Sequence, residues 1–401
     1  MRVTQSGIKR QYLRNSNSAL ERMNSINNRI LTERKFMRAS DDSTAAANAM
    51  IIRKSLSNLD MYEDNLEKVQ ALYNSAESHL STLTSTVSKT ITQVIYGING
   101  DKSQTERNII AGELEQYAEQ MRTELNEVYA DRRIFGGTNN NDVSFTFDEA
   151  TRQVSYNGVP VSAEIIEKDD GSGNITYSFG FKDSVVSPIT YDDDGNAVTP
   201  TPKLPAEVSD TLTADQIKDY QEGRLKSYDL YPGSQPIYVD VGIGIKYDFE
   251  TDAATGEPKL DTAKVNPDTA MNITLNGVDM TGCGTDKDGD SLNIIQLAYD
   301  AAEAMRNGDV KTCNRLIDKL HNAEEEVLIS ITEFGAKSES IEFHLTKIDN
   351  DRYNLQVQQK DIEAADLTKE ITDFKSAQAA YNATLQMGSN VIPNSIFDFI
   401  R

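Results

Sequence analysis

The stretch IRKSLSNLDMYEDNLEKVQALYNSAESHLSTLTSTVSKTITQV, residues 52–94, decides the fold of this chain. An apolar side chain returns at every seventh position through it, which is the period of helices that pack along a common seam. We therefore predict a coiled-coil helix from about residue 45 to residue 98. Its predicted rod core positions are Ile52, Leu59, Leu66, Tyr73, Leu80, Val87 and Val94.

Capping signals mark where this helix and the next one begin. Ser40, Asp41 and Asp42 precede the first helix, and such side chains accept hydrogen bonds from the free amides of a first helical turn. A second helix is predicted to open at Ser103, whose spacing to Glu106 is typical of a capping box. We expect it to fold back antiparallel on the first helix.

The prolines divide the chain into two kinds of sequence. Nine of the ten lie between Pro160 and Pro267, and proline is excluded from long helices but tolerated in turn-rich β structure. We predict an α+β protein: a long antiparallel coiled-coil bundle built from both chain ends, with an inserted β-rich domain. The predicted domains are terminal helical arms (1–40 and 355–401), a helical rod (41–138 and 289–354) and an inserted outer domain of one or two parts (139–288).

Period-two alternation within the insertion predicts short strands. Examples are Val143–Phe147 and Ile175–Phe179, and the pairs Asn157-Gly158 and Asp194-Gly195 are typical hairpin turns. The remaining expectations for the insertion are an extended connector at 196–210, a short helix near 213–224, and further strands near 237–249 and 271–278.

The charge distribution argues against nucleic acid and membranes as partners. The chain carries a net charge of −23, and residues 136–290 hold 28 acidic and 11 basic side chains. The first 38 residues are basic, but apolar side chains interrupt them at helical spacing, which favours a helix packed on another helix. No stretch is apolar enough for a membrane span or a cleaved secretory signal.

No pattern in the chain indicates catalysis, a cofactor or a metal site. The histidines and the cysteines Cys283 and Cys313 follow no catalytic or metal-binding spacing. Two free thiols are expected, although spacing alone leaves a bridge between them open. The acidic loops 192–196 and 286–290 lack the glycine and the closing glutamate of an EF-hand, so we interpret them as hairpin turns. The chain is predicted not to be an enzyme.

Four stretches of the chain resemble the bacterial flagellin family and its hook-associated relatives. They are Met1-Arg2-Val3-Thr4, Ser40-Asp41-Asp42, Ile134-Phe135-Gly136-Gly137-Thr138 and Leu385–Phe399. Flagellins tend to show Leu-Leu-Asp-Gly where this chain has Ile-Phe-Gly-Gly, so the resemblance is closest to the hook–filament junction type, hook-associated protein type 3. In that family Ser40, Asp41, Asp42, Phe135, Gly136 and Gly137 would mark domain boundaries.

The resemblance implies a structural junction subunit of the extracellular flagellum. Such a subunit would connect the hook-side junction protein, hook-associated protein type 1, to flagellin, and would form a ring with copies of itself. It would leave the cell through the flagellar type III apparatus without a cleaved signal peptide, after binding a cytosolic export chaperone. Flagellin itself is the alternative, and a cytoplasmic coiled-coil scaffold is a third hypothesis.

The resemblance also implies a role for the two terminal arms. They would be poorly ordered in the monomer and become ordered when they pack on neighbouring subunits, because an isolated helix pair is marginally stable. The side chains predicted to form this assembly interface are Leu13, Leu20, Met23, Ile30, Phe374, Tyr381, Leu385, Ile396, Phe397 and Phe399.

Overall fold

A computed structural model gives the fold of the chain. It is 64% helical, with long helices from both chain ends packed against each other and an inserted region of small antiparallel sheets, which confirms the predicted α+β class. The structure describes residues 5–100, 102–139, 143–169, 171, 174–181, 185–186, 190–191, 197–198, 202–204, 208–249, 264–266 and 269–391.

Helices dominate the described residues on both sides of the insertion. Each long helix coincides with a stretch of apolar side chains at helical spacing, which the helix buries on one side. The helices are α1 (Gln5–Thr32), α2 (Ser43–Ile98), α3 (Gln104–Leu125), α4 (Ala214–Gln221), α5 (Gly277–Thr281), α6 (Ile294–Asn307), α7 (Val310–Glu363) and α8 (Leu367–Val391), with a 3₁₀ turn at Ser227–Leu230.

The strands are short and pair only in antiparallel fashion within the described residues. The strands are β1 (Val128–Tyr129), β2 (Arg132–Arg133), β3 (Phe145–Asp148), β4 (Gln153–Tyr156), β5 (Val159–Pro160), β6 (Glu164–Asp169), β7 (Ile175–Gly180), β8 (Val185–Val186), β9 (Thr190–Tyr191), β10 (Ala197–Val198), β11 (Pro202–Leu204), β12 (Val208–Thr211), β13 (Tyr238–Val239), β14 (Tyr247–Asp248), β15 (Lys264–Val265) and β16 (Met271–Asn272). Three-stranded sheets have the orders β3-β4-β5 and β12-β7-β6, and the pairs are β1-β2, β8-β11, β9-β10, β13-β16 and β14-β15.

The chain divides into two compact units. Unit 1 consists of Met1–Tyr62 and Thr346–Arg401, and unit 2 is the continuous segment Glu63–Leu345. Helices α2 and α7 therefore contribute to both units. The predicted division into arms, rod and insertion uses different limits and stays a prediction.

In unit 2, α3 runs antiparallel to α2, as predicted. His79 Nδ1 of α2 lies 2.9 Å from Glu124 Oε2 near the end of α3, whereas Gln93 hydrogen-bonds Glu113 nearer its start. Helix α3 also packs against α6, whose strongly apolar face is buried. These three helices supply much of the core of unit 2.

The Asn157-Gly158 turn joins β4 to β5, as predicted. Both residues have positive φ angles, 49° and 85°, which is the geometry that a two-residue hairpin of type I′ requires. The second predicted turn, Asp194-Gly195, lies outside the described residues.

Two expectations for the insertion were wrong. The segment 196–210 is not only a connector, because it contributes β10, β11 and β12 to small sheets. Val278 lies in helix α5 and not in a strand. Gly277 starts this helix where its backbone passes so close to the Phe145 ring that a Cβ would lie 2.6 Å from Cε2. This tight approach, and the burial of Val278 and Met280, favour a compact turn of helix over an extended strand.

A small core of its own supports sheet β12-β7-β6. Ile165, Tyr177 and Leu212 are buried there. Partly buried side chains from the sheet, α4 and the following loop pack against them, namely Phe179, Ile217, Tyr220, Leu225 and Leu230. The predicted helix near 213–224 is thus present as α4 and covers this sheet.

Ser103→Ala is expected to lower the free energy of unfolding of unit 2 by about 1 kcal/mol. The Ser103 amide donates to Glu106 Oε2 at 2.8 Å, and the Ser103 hydroxyl accepts from the Glu106 amide at 3.4 Å, which completes the predicted capping box. Denaturant titration followed by circular dichroism would measure the loss. Ser81→Ala, at an exposed interior position of α2, is the control and should cause no loss. Equal stability of the two variants would contradict the capping role.

Candidate functional site: the paired chain ends

The two chain ends pair in unit 1, where α1 packs against α8. A short backbone bridge closes the pair, because the Lys35 amide donates to the Glu363 carbonyl at 2.7 Å and the Ala365 amide donates to the Glu33 carbonyl at 2.9 Å. Glu33 has a φ of 57°, a left-handed conformation that suits the residue after a helix. Helices α1 and α8, which lie far apart in sequence, therefore form one structure.

Two arginines neutralise carboxylates that are largely buried in unit 1. Arg29 Nη2 lies 3.2 Å from Glu370 Oε2, and Arg53 Nη2 lies 2.7 Å from Glu363 Oε1. The side chains of Glu363 and Glu370 are only 11% and 12% exposed, so each needs a cation in place of lost water. Part of the positive charge near the N-terminus thus serves helix packing, in agreement with the sequence interpretation.

A glycine inside α8 accommodates a tyrosine of α1. Gly388 is buried, and a Cβ at this position would overlap the Tyr12 hydroxyl and the end of its ring. Glycine in a helix interior costs helix stability, so its presence here is explained by the close approach of α1. No role was predicted for either residue, although an isolated glycine within a helical pattern can mark close packing.

The predicted interface residues that the structure describes lie on both members of this pair. Leu13 and Leu385 are 55% and 45% exposed. The others are half-buried, namely Leu20, Met23, Ile30, Phe374 and Tyr381. Ile396, Phe397 and Phe399 lie outside the described residues. The interface role of this set stays a prediction.

The predicted rod core residues divide between the two units. Ile52, buried, and Leu59, half-buried, belong to unit 1. In unit 2 Tyr73 stacks on Phe334 of α7 with ring centroids 5.7 Å apart. The other predicted core side chains of unit 2 are at most 1% exposed, namely Leu66, Leu80, Val87 and Val94.

The turn at Ser40-Asp41-Asp42 is held by its carboxylates. Asp41 Oδ2 accepts hydrogen bonds from the amides of Met37 and Arg38, at 3.1 and 2.9 Å, and Asp42 Oδ1 accepts from the Ala45 amide at 2.9 Å. The hydrogen bonds from Arg38 and Met37 hold the pKa of Asp41 below its usual value. Asp42 therefore caps α2, while Asp41 orders the turn before it.

The segment Phe135-Gly136-Gly137 is hydrogen-bonded to two other parts of unit 2, strand β4 and the residues around the start of α5. Phe135 is fully buried, and its carbonyl accepts from the Tyr156 hydroxyl at 2.8 Å and from the Gly277 amide at 3.0 Å. The Gly137 amide donates to the Leu275 carbonyl at 3.1 Å. At the predicted boundary the chain is therefore buried and contacts segments that lie far away in sequence.

The carboxylates of the acidic loop at 286–290 are paired with cationic side chains of the protein itself. Asp290 is fully buried and accepts from Arg315 Nε at 2.7 Å and from Lys319 Nζ, which also contacts Asp286. Asp288 Oδ2 lies 3.6 Å from the same Nζ. These three carboxylates could group around a metal ion, but Lys319 already provides the positive charge there.

The two cysteines are free thiols. Burial raises the pKa of both Cys283 and Cys313 to about 12, so neither is a ready nucleophile. Two of the histidines have carboxylate neighbours of their own, Glu124 for His79 and Glu324 for His321.

Helices α1, α2 and α3, and the chain up to the Gly136-Gly137 turn, form the first third of the protein. Residues 4–140 match the bacterial flagellin N-terminal helical region. The resemblance to the flagellin family is thereby confirmed over these residues, and the flagellin-type region ends just after the predicted boundary at Gly137. The matched family is structural and not enzymatic.

Solved structures of flagellar proteins are similar to this chain. A putative flagellar hook-associated protein from Vibrio parahaemolyticus is 13% identical, with a TM-score of 0.45 over 81% of this chain and 100% of its own. Hook-associated protein-3 from Legionella pneumophila is 13% identical, with a TM-score of 0.43 over 78% and 98%. FlgL from Bacillus cereus is 14% identical, with a TM-score of 0.38 over 77% and 99%. No curated protein matches the sequence.

Among the described helices, none combines the length and the apolar character that a membrane span requires.

Proposed function

We propose that this protein is a structural subunit of the bacterial flagellum that joins the hook to the filament. The flagellin-type region at residues 4–140 carries the flagellar part of the proposal. The choice of the junction over the filament rests on the boundary sequence Ile134-Phe135-Gly136-Gly137-Thr138, which resembles junction proteins more than flagellins.

The paired chain ends are the proposed assembly surface. In α1 and α8 many apolar side chains are only half-buried. In the single chain the Leu13 side chain is 55% exposed and the Leu385 side chain is 45% exposed. Packing against neighbouring subunits would remove this apolar surface from water, which favours association. The predicted interface set, from Leu13 to Phe399, is retained as part of this proposal.

The proposed partners follow from the position at the junction. They are the hook-side junction protein below, flagellin above, and further copies of this chain beside it in a ring. We propose export through the flagellar type III apparatus with the help of a cytosolic chaperone, and a final location outside the cell in the flagellum. No catalytic activity is proposed.

Deletion of the gene tests the junction function. Electron microscopy of the deletion strain should show hooks without filaments, with flagellin released into the medium. Normal filaments on the deletion strain would refute the proposal. If the filaments were missing and no flagellin was found in the medium either, the chain would instead be the filament subunit, which is the alternative function.

Copy number separates the two functions independently. A junction subunit should be scarce in sheared flagellar fractions, whereas flagellin should be their main component. Absence from these fractions, with the chain retained in the cell, would favour the cytoplasmic scaffold.

Gly388→Val is expected to abolish complementation of the deletion strain while leaving unit 2 folded. The valine side chain would occupy the space of Tyr12, so α1 and α8 could not keep their present pairing. Motility and filament number would be counted in cells, and the purified variant would be checked for a retained unit 2 by protease resistance of residues 63–345.

Gly335→Val is the matched control for this variant. Gly335 also lies within a helix, α7, but a Cβ there would meet nothing within 4 Å. It should therefore complement normally. Full complementation by Gly388→Val would show that the paired ends are not needed for assembly.

A further inference from the structure

Four asparagines in the chain are each followed by a glycine, and all four lie in unit 2. The pairs are Asn99-Gly100, Asn157-Gly158, Asn276-Gly277 and Asn307-Gly308. Glycine has no Cβ, so its backbone nitrogen can approach the side chain of the preceding asparagine without a steric clash. The same reaction between neighbouring residues is therefore chemically possible at four places.

In this reaction the asparagine loses its amide group. The glycine nitrogen attacks the asparagine Cγ and forms a new N–Cγ bond, while the Cγ–Nδ2 bond breaks. Nδ2 leaves as ammonia and takes the proton of the glycine amide with it, which leaves a cyclic imide. Water then adds to one of the imide carbonyl carbons and opens the ring, giving aspartate or isoaspartate. Water is the only co-reactant.

Hydrogen bonds to the reacting groups slow this reaction. The asparagine side chain and the glycine amide must give up their partners before the ring can close. Breaking one typical hydrogen bond beforehand slows the rate about tenfold. The hydrogen bonds of each pair in the folded protein therefore determine how fast it reacts.

At Asn99-Gly100 both reacting groups are free. The pair follows the end of α2 at Ile98, and both of its residues are exposed. The Asn99 amide donates to the Ile95 carbonyl at 3.1 Å, and the Gly100 carbonyl accepts from the Lys102 amide at 3.1 Å. Within the part of the chain that the structure describes, no residue hydrogen-bonds the Asn99 side chain or accepts from the Gly100 amide.

At Asn157-Gly158 the asparagine side chain is held at both of its polar atoms. Asn157 Oδ1 accepts from Asn139 Nδ2 at 2.9 Å, and Asn157 Nδ2 donates to the Pro232 carbonyl at 2.6 Å. The leaving nitrogen is thus bound in the folded protein. This pair must lose two hydrogen bonds before it can react.

At Asn276-Gly277 both reacting groups are held. Asn276 is buried at 7% exposure, and its Nδ2 donates to the Tyr228 carbonyl at 3.0 Å. The Gly277 amide donates to the Phe135 carbonyl at 3.0 Å. The attacking nitrogen and the leaving nitrogen are therefore both bound, and little water reaches the pair.

At Asn307-Gly308 the glycine amide is part of a helix end. Asn307 is exposed, but it is the last residue of α6, and the Gly308 amide donates to the Met305 carbonyl at 3.1 Å. Attack by this nitrogen requires that the C-terminal turn of α6 opens. Three of the four pairs are thus held by the fold.

We propose that Asn99 is a site of spontaneous deamidation in the folded protein, and that the fold protects the other three pairs. The product places a carboxylate at the C-terminal end of α2, where the helix dipole disfavours negative charge. The isoaspartate form also adds one carbon to the backbone between α2 and α3. The turn that connects these two helices therefore changes as the molecule ages. Neither the reaction nor its place depends on the proposed flagellar function.

Peptide mass spectrometry of the full-length protein tests the proposal. Native protein and protein unfolded in guanidinium chloride would be incubated at the same mildly alkaline pH and temperature. Tryptic peptides, such as 90–102 for Asn99, would then show how fast each asparagine becomes aspartate or isoaspartate. The ratio of the unfolded rate to the native rate measures the protection of each pair.

This ratio should be within about twofold of one for Asn99 and at least about tenfold for each of the other three pairs. Because every pair is compared with itself in the unfolded chain, differences in neighbouring sequence cancel. A ratio above about tenfold for Asn99 would overturn the proposal. A ratio as low as that of Asn99 at any of the other pairs would overturn it too.

Asn99→Gln provides an independent test, because the longer side chain would have to close a larger ring. Ion-exchange chromatography of the aged native protein should show a more acidic form that the aged Asn99→Gln variant lacks. Asn307→Gln, at the other exposed asparagine of the four, is the matched control and should form as much of the acidic species as the unsubstituted chain. An equal amount of the acidic form in aged Asn99→Gln would show that the change occurs elsewhere.

Discussion

Gly137→Ala is expected to lower the free energy of unfolding of unit 2 by about 3 kcal/mol or more. Gly137 has a φ of 63°, and a Cβ there would overlap the carbonyl oxygen of Gly233. That carbonyl cannot easily retreat, because it accepts a hydrogen bond from the Thr138 amide at 2.8 Å. Thermal and denaturant unfolding of the full-length variant would measure the loss.

Gly158→Ala separates the steric overlap from the backbone strain. Gly158 also has a positive φ, 85°, but a Cβ at this position would meet nothing within 4 Å. The free energy of unfolding of the alanine variant should be lowered only by the strain of the left-handed conformation, about 1 kcal/mol. If Gly137→Ala lowered the free energy of unfolding no more than Gly158→Ala does, the Gly233 carbonyl would not lie as close to Gly137 as the structure indicates.

Asp290→Ala is expected to cost about 3 kcal/mol of unfolding free energy, because it removes a buried partner of two cations. Asp290 is fully buried, while Arg315 and Lys319 are 19% and 16% exposed. Burial alone would lower the pKa of Lys319, but its hydrogen bonds to Asp286 and Asp290 outweigh that effect and raise it. The variant would leave Lys319 next to Asp286 but without its hydrogen bond to Asp290.

Asp288→Ala is the control for this cluster. The Asp288 side chain is 38% exposed and lies 3.6 Å from Lys319 Nζ, so its loss should change stability by less than about 1 kcal/mol. Denaturant unfolding of both variants at neutral pH would compare them. Similar losses for Asp288→Ala and Asp290→Ala would mean that net loop charge, and not the buried contact, stabilises this region.

The helical part of the fold was predictable because its signals are local and repeated. The seven-residue period from Ile52 to Val94, the capping box at Ser103 and the hairpin turn at Asn157-Gly158 each follow from short-range geometry. The insertion was harder, since its strands are mostly two to four residues long and leave little periodicity to detect. Val278 was wrongly predicted to lie in a strand, because the close packing of the neighbouring Gly277 against the Phe145 ring is a contact between residues far apart in sequence.

The candidate site was predictable in its location but not in its contacts. Apolar positions in α1 and α8 identified the chain ends as a surface of interest, whereas the ion pair Arg29–Glu370 and the approach of Tyr12 to Gly388 depend on the register of two helices. Register between segments so far apart in sequence is set by three-dimensional packing. The partners of Asp290 were missed for the same reason.

The division of the chain has a consequence for how the protein is made. Unit 2 is one uninterrupted segment, so all of its contacts are available once Leu345 has been synthesised. Unit 1 needs both Tyr12 of α1 and Gly388 of α8, which lie far apart in sequence. Because contacts between distant segments form late, α1 stays unpaired until α8 has also been synthesised. A polypeptide truncated before α8 would therefore contain a folded unit 2 and a helix α1 that has no helix to pack against.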